Sequence, residues 1–170
     1  MAYLLDANVF IAAKNQHYGF DFCPAFWDWL IRENQAGRVF SIERVQDELA
    51  TGEDPLAEWA GQRADGFFLP LEEAALPALG AVAEWVNGHA SYTPAAKSTF
   101  LQVADYYLVA QALAGGHVVV THEQPASSVH RLKIPNVCLG LKIKYMNPYD
   151  MLRKERARFV LAPRTTSAGA

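Results

Sequence analysis

The feature that most restricts the fold of this chain is an alternation of short, wholly apolar runs with stretches of helical periodicity. Ala2-Tyr3-Leu4-Leu5 ends at Asp6, and the strongest run, His117-Val118-Val119-Val120-Thr121, leads to His122 and Glu123. Runs this short, bounded by polar residues, read as buried strands. Val39-Phe40-Ser41 and Phe67-Phe68-Leu69 read the same way, and Asn136-Val137-Cys138 and Ile143-Lys144-Tyr145 are further strand candidates. Helices are expected from Val9 to Lys14, Pro24 to Asn34, Ile42 to Ala50 with a stop at Thr51-Gly52, and Pro55 to Ala64. A further helix over 72–87 meets Pro77, which can interrupt or restart it. Residues 95–114 follow the Tyr92-Thr93-Pro94 turn as one or two helices closed by Gly115-Gly116, and Pro148 starts the last helix. This alternation predicts one three-layer α/β domain over residues 1–162 with a mainly parallel sheet. The small polar end, 163–170, reads as a disordered tail.

Length and composition agree with a single globular unit. A chain of 170 residues, half of them apolar and carrying four Trp, seven Tyr and nine Phe, can bury a substantial core. No apolar run approaches the roughly 18 residues that cross a bilayer, and no basic segment of a signal peptide opens the chain, so a cytoplasmic protein with no membrane partner is expected. Cys23 and Cys138 stand alone, as free thiols of a reducing compartment rather than as a zinc site.

Four of the eighteen acidic residues draw attention: Asp6, Glu48, Asp105 and Glu123. Asp6 and Glu123 follow strands, and ligands of open α/β sheets gather at the carboxyl ends of strands. On the helix Ile42–Ala50, Ile42, Val45 and Leu49 form the apolar face, which Glu48 borders, while Asp47 points almost opposite, toward water. An i,i+4 pair with Arg44 is the structural alternative for Glu48. In a helix Leu101–Ala114, the residues Leu101, Ala104, Leu108 and Ala112 form a stripe that includes Asp105, where an unpartnered carboxylate is costly. A buried Arg or a backbone N–H would partner it as well as a metal. Asp6-Ala7-Asn8 can cap the first helix, or Asn8 can orient a carboxylate or a metal-bound water. Clustered carboxylates repel unless a cation binds or some protonate, and hard oxygen donors select Mg²⁺ or Mn²⁺.

Charge is segregated along the chain. Residues 1–130 hold six basic and sixteen acidic side chains; residues 131–170 hold nine basic and two acidic. Lys142, Lys144, Arg153 and Lys154 in that basic part are candidate RNA contacts, or else a solvated basic surface. The aromatic stretch from Tyr18 to Trp29 offers stacking surfaces for RNA bases, core packing or a homodimer interface. Asp150 reads as an acid favoured by a helix N-terminus. His122 beside the acids would serve as acid or ligand, but reads more simply as a loop residue outside the catalytic set.

The ordered set Leu4-Leu5-Asp6-Ala7-Asn8, Val45-Gln46-Asp47-Glu48-Leu49, Ala104-Asp105, Val119-Val120-Thr121-His122-Glu123 and Asn147-Pro148-Tyr149-Asp150-Met151-Leu152 spans nearly the whole chain. It resembles the PIN-domain family, in a less characterised PIN-like branch similar to VapC-type toxin ribonucleases. The resemblance implies a parallel sheet with helices on both faces and metal-dependent cleavage of RNA. It also implies, for a toxin of a toxin–antitoxin pair, a small antitoxin as partner. Carried over, the metal-binding acids are Asp6, Glu48 and Asp105, with Glu123 as the fourth catalytic acid and Asn8 and Thr121 supporting. The family's usual fourth acid is Asp after Thr-Asn, whereas this chain has Thr121-His122-Glu123. Two rivals stand beside it. One is a phosphatase phosphorylated on Asp6, against which Asn8 occupies the position of the proton donor. The other is an inactive PIN-like module that binds RNA or a protein.

Overall fold

The computed structural model describes residues 1–63 and 66–164. The expected tail falls largely outside these, since residues 165–170 lie outside the described residues, as does Ala64 at the expected helix end. In chain order the elements are β1 (Tyr3–Leu5), α1 (Ala7–Ala12), a π-helical turn (Ala13–His17), α2 (Pro24–Gln35), β2 (Val39–Ile42), α3 (Glu43–Ala50) and α4 (Pro55–Gly61). They continue with β3 (Phe68–Leu69), a 3-10 turn (Glu73–Ala75), α5 (Leu76–Gly88), α6 (Pro94–Leu101) and α7 (Ala104–Gly115). The chain then adds β4 (Val118–Val120), α8 (Ile134–Leu141), β5 (Tyr145–Met146) and α9 (Pro148–Lys154).

The five strands form one parallel sheet in the order β3-β2-β1-β4-β5, with helices completing a three-layer α/β fold. All three residues of β1 and all three of β4 are buried, which requires cover on both faces of the sheet. β1 sits at the centre, with Leu4 opposite Phe40 on one side and Val119 on the other. The connections leave β1 and β4 toward opposite edges of the sheet. A crevice therefore opens where the two strands end, the usual ligand position in such sheets.

Three expectations are corrected. Asn136-Val137-Cys138 is not a strand but the centre of α8, where Ile134, Val137 and Cys138 are buried at helical spacing behind Pro135 in the first turn. A run of three residues does not distinguish strand from helix, and here packing decides. Gly140 lets α8 close on the Trp85 ring of α5, where a Cβ would collide. The last strand is Tyr145–Met146, two residues beyond the start expected for it; of the earlier pair, Lys144 contributes a carbonyl that accepts from the Val119 N–H at 2.9 Å. Gly52 does not close α3 in a left-handed conformation, whereas Gly116 does close α7, at φ 64°.

The aromatic N-terminal stretch is spent on packing. Tyr18 stacks on Phe26 at 4.4 Å and Phe20 on Trp27 at 4.1 Å, while the Trp27 indole donates to the Tyr18 carbonyl at 2.7 Å. Phe22 is the exposed exception. Cys138 is buried, and burial pushes its thiol up to about 12. Phe10 of α1 is fully buried, with Trp59, Phe67 and Phe68 at centroid distances of 5.8, 6.2 and 6.1 Å. It thereby fixes α1, and with it Asn8, against α4 and β3. Phe10→Ala should cost about 3–5 kcal/mol, read as a lower urea midpoint with an unchanged slope.

Candidate functional site

Asp6 leaves β1 and Thr121 leaves β4, side by side at the crevice. The Asp6 N–H donates to the Val120 carbonyl at 2.9 Å, which extends the ladder to the edge of the sheet. The Thr121 hydroxyl donates to Asp6 Oδ2 at 2.8 Å. It accepts from Asn8 Nδ2 at 3.2 Å and from the Glu123 N–H at 3.1 Å. One donor and two acceptor positions are thus all filled. Asn8 Oδ1 accepts from the His122 N–H at 3.1 Å, so its amide is held at both ends. Asp6 occupies the N-cap position of α1 but its side chain caps nothing, which sets aside the capping alternative.

Glu123 lies across the crevice and has two partners. Its Oε2 accepts from the Ile134 N–H at 3.0 Å, and its Oε1 meets Lys133 Nζ at 3.4 Å. It therefore anchors the start of α8 as well as facing the site. Asp105 reaches the site by a route different from the one its stripe suggested. The helix breaks at Gln102 and Val103, α7 begins at Ala104, and Leu101 belongs to the preceding helix. Asp105 thus sits half-buried in the first turn of α7, with no side-chain partner among the described residues.

Glu48 comes from α3 and is exposed. Its expected ion pair with Arg44 does not form; the Arg44 guanidinium lies over the Tyr107 ring, 4.4 Å from its centroid. One cavity of about 600 Å³ is lined by Asp6, Asn8, Glu48, Asp105 and Glu123, together with Arg44 and Asp47. All four expected acids therefore meet at one place. Asp47, expected to point away, lines it too, as does Arg44, because the cavity wraps farther round α3 than the apolar face implied.

The electrostatics show what this convergence costs. Burial and then the charge of Asp105 push Asp6 up to about 8, with Glu123 adding to the rise and the Thr121 hydrogen bond opposing it. Asp105 is pushed up to about 6 by burial, then by Glu123 and Glu48, with Lys133 opposing. Partial desolvation of its carboxylate raises Glu48 as well, although the residue as a whole is exposed. Asp6 thus feels Asp105 and Glu123, and Asp105 feels Glu123 and Glu48. Among the described residues no group of three or more His, Cys, Asp or Glu side chains is placed so that it could hold a metal ion as it stands. The donors nevertheless suit a hard cation. They are carboxylate oxygens around one cavity, and two of them are strained as anions in a way that a divalent ion relieves.

Other groups flank the site. His122 packs against His17 and Tyr149, both at 5.6 Å between centroids, and Tyr149 Oη lies 2.9 Å from His17 Nε2. Burial, then His17, lowers the His122 pKa. Nothing in the local sequence foretells that His17 and Tyr149 meet, which they do only through the fold. The four basic residues chosen from charge are elsewhere. Lys142 and Lys144 lie beside Met1 and His117, at the amino ends of the strands. Arg153 pairs with Asp150 at 3.2 Å. Arg153 and Lys154 end α9 next to Glu155, which accepts from the hydroxyl of Tyr3 at 2.6 Å, again at the amino end of β1.

The model of a family described as Domain of unknown function (DUF4411) matches residues 3–159. No curated protein and no solved structure matches the chain.

Both raised acids hold protons to higher pH in the folded chain than at their ordinary value of 3.8. The folded state therefore binds more protons than the unfolded one, and stability falls as pH rises. The contribution is complete below about pH 4 and is lost through about 6 for Asp105 and about 8 for Asp6. Asp6→Asn, without added divalent cation, should raise the thermal midpoint at pH 8 and flatten its decline from pH 5. A midpoint lowered at pH 8 would mean that the carboxylate is net stabilising.

Proposed function

This chain belongs to the DUF4411 family, and we propose that it is a PIN-like, metal-dependent ribonuclease that hydrolyses phosphodiester bonds of RNA. The observation that carries the reading is the meeting of Asp6, Glu48, Asp105 and Glu123 on one cavity at the switch point of a parallel sheet. Asp6, Glu48 and Asp105 would hold Mg²⁺ or Mn²⁺. The chemistry that such an ion supplies is Lewis-acid stabilisation of a phosphoryl group and acidification of water.

The chain's own residues do the positioning. Thr121 fixes the Asp6 carboxylate, and Asn8 fixes Thr121 and the backbone at His122, so the most buried acid enters the site in one orientation. Burial that raises Asp6 and Asp105 also gives them a reason to exchange protons for a cation near neutral pH. Glu123, tethered to α8, closes the far wall and orients the attacking water. The resemblance to toxin ribonucleases extends the proposal to a small antitoxin protein as partner.

A second reading has its own observation. Glu123 is engaged by Lys133 and the Ile134 N–H, as it would be in a module that binds RNA or a protein and cuts nothing. Metal titration separates the two. Purified protein with Mn²⁺ or Mg²⁺ should cut labelled single-stranded or structured RNA, EDTA should stop it, and Asp6→Asn or Asp105→Asn should abolish it while the circular dichroism spectrum stays native. Asn8→Ala should lower the rate about 10–100-fold, the usual loss for a group that orients a metal ligand. Cleavage retained by Asp105→Asn would refute the assignment, and neither cutting nor metal binding would favour the binding module.

A further inference from the structure

A second cavity, of about 280 Å³, adjoins the acid site and shares Thr99 and Glu123 with it. His130, Arg131 and Lys133 line it, and Glu123 is its one acid. That carboxylate is already matched by Lys133 and by the Ile134 N–H. The His130 and Arg131 side chains are exposed and have no hydrogen bond or ion pair among the described residues. Charge therefore changes sign on crossing Glu123, from a cluster of acids to unspent cationic and donor groups.

The loop that carries these groups is held in place. Asn136 Oδ1 accepts from the N–H groups of Ala126 and Lys133, at 3.1 and 3.2 Å, and its amide donates to the Ala126 carbonyl at 3.0 Å. The Thr93 N–H donates to the Val129 carbonyl at 3.0 Å, which ties the loop to the start of α6. A cation on a pinned loop loses little freedom on meeting an anion. On the other side of the acids, Arg44 is braced against Tyr107.

From this arrangement we infer that the trough of Thr99, His130, Arg131 and Lys133 is a phosphate-backbone subsite. It seats the substrate strand on one side of the bond that is cut, while Arg44 meets it on the other. The inference rests on the nuclease reading for the position of the cut, but the binding that it assigns is measured separately. It also relocates the nucleic-acid contact. Lys142 and Lys144 lie at the opposite end of the strands, and the contact passes to a loop on the acid side. Cations on both sides of the acids suit an internal phosphodiester, with chain continuing past the scissile position, better than a free nucleotide.

The test measures binding of a short labelled single-stranded RNA, beside DNA of the same sequence, to Asp105→Asn protein, which is not expected to cut it. Adding His130→Ala and Arg131→Ala should weaken RNA binding severalfold and reduce the slope of log affinity against log salt by about 1. The paired change Lys142→Ala and Lys144→Ala should leave both nearly unaltered. In the otherwise intact chain, His130→Ala with Arg131→Ala should preserve Mn²⁺ affinity by calorimetry and the thermal midpoint. Unchanged RNA affinity and slope, no RNA binding by the disabled protein, or an equal loss from the Lys142 and Lys144 pair would each overturn the subsite. A weakening seen with DNA and RNA alike would support a backbone contact. Failure of the nuclease reading would appear elsewhere, as absent Mn²⁺ binding and absent cutting by the unaltered chain.

Discussion

The hydroxyl of Thr121 is the point on which the site depends. It joins the ends of two neighbouring strands by donating to Asp6 and accepting from Asn8 and from the backbone of Glu123. Three of the residues around the cavity are thereby oriented by one oxygen atom. That oxygen can be so placed because β1 and β4 are parallel neighbours that end together, with Leu5 registered on Val120. A slip of one residue in that pairing would turn Asp6 or Thr121 to the wrong face of the sheet.

Around this junction the fold sets a hydrophobic frame against an electrostatic burden. Leu4, Leu5 and the three valines of β4 are essentially without exposure, and their burial holds Asp6 where solvation is poor. The charges of Asp105 and Glu123 then raise its pKa further. A fold of this kind tolerates such a cluster because the aromatic and aliphatic contacts behind it are extensive. Clusters of this sort exchange stability for a function that needs charge held in place. Lys133, paired with Glu123, opposes the rise at Asp105 only partly.

Much of this was readable in the residues, for physical reasons that differ from element to element. The strands at 3–5 and 118–120 announce themselves because residues buried on both faces must be continuously apolar. Asp6 and Glu123 follow from standing where those strands stop. Asp105 was found through an argument only partly right. The expected stripe ran across a helix break at Gln102 and Val103, yet the acid still faces inward from the first turn of α7. The segment Asn136–Cys138 misled because a run that short carries no period. Arg44, Asp47 and the His17–His122–Tyr149 group were beyond reach, since contacts between residues 17 and 149 are set by tertiary packing alone. Charge segregation proved a poor guide to position. Within the basic part of the chain, Lys142 and Lys144 stand at the end of the sheet away from the acids, while Arg131 and Lys133 line the cavity beside Glu123.

The bridge between Asp6 and Thr121 also has a consequence in time. Its two halves lie 115 residues apart, and Glu123 takes its orientation from a backbone N–H eleven residues farther on. A chain emerging from the ribosome would carry Asp6 and Glu48 early, but no site exists until α8 has followed β4 out and the central strand has gained its second neighbour. Sites that are local in sequence can act on whatever surrounds a nascent chain. This one is assembled by contacts that span 115 residues, so the cavity cannot form until nearly the whole domain is available to fold.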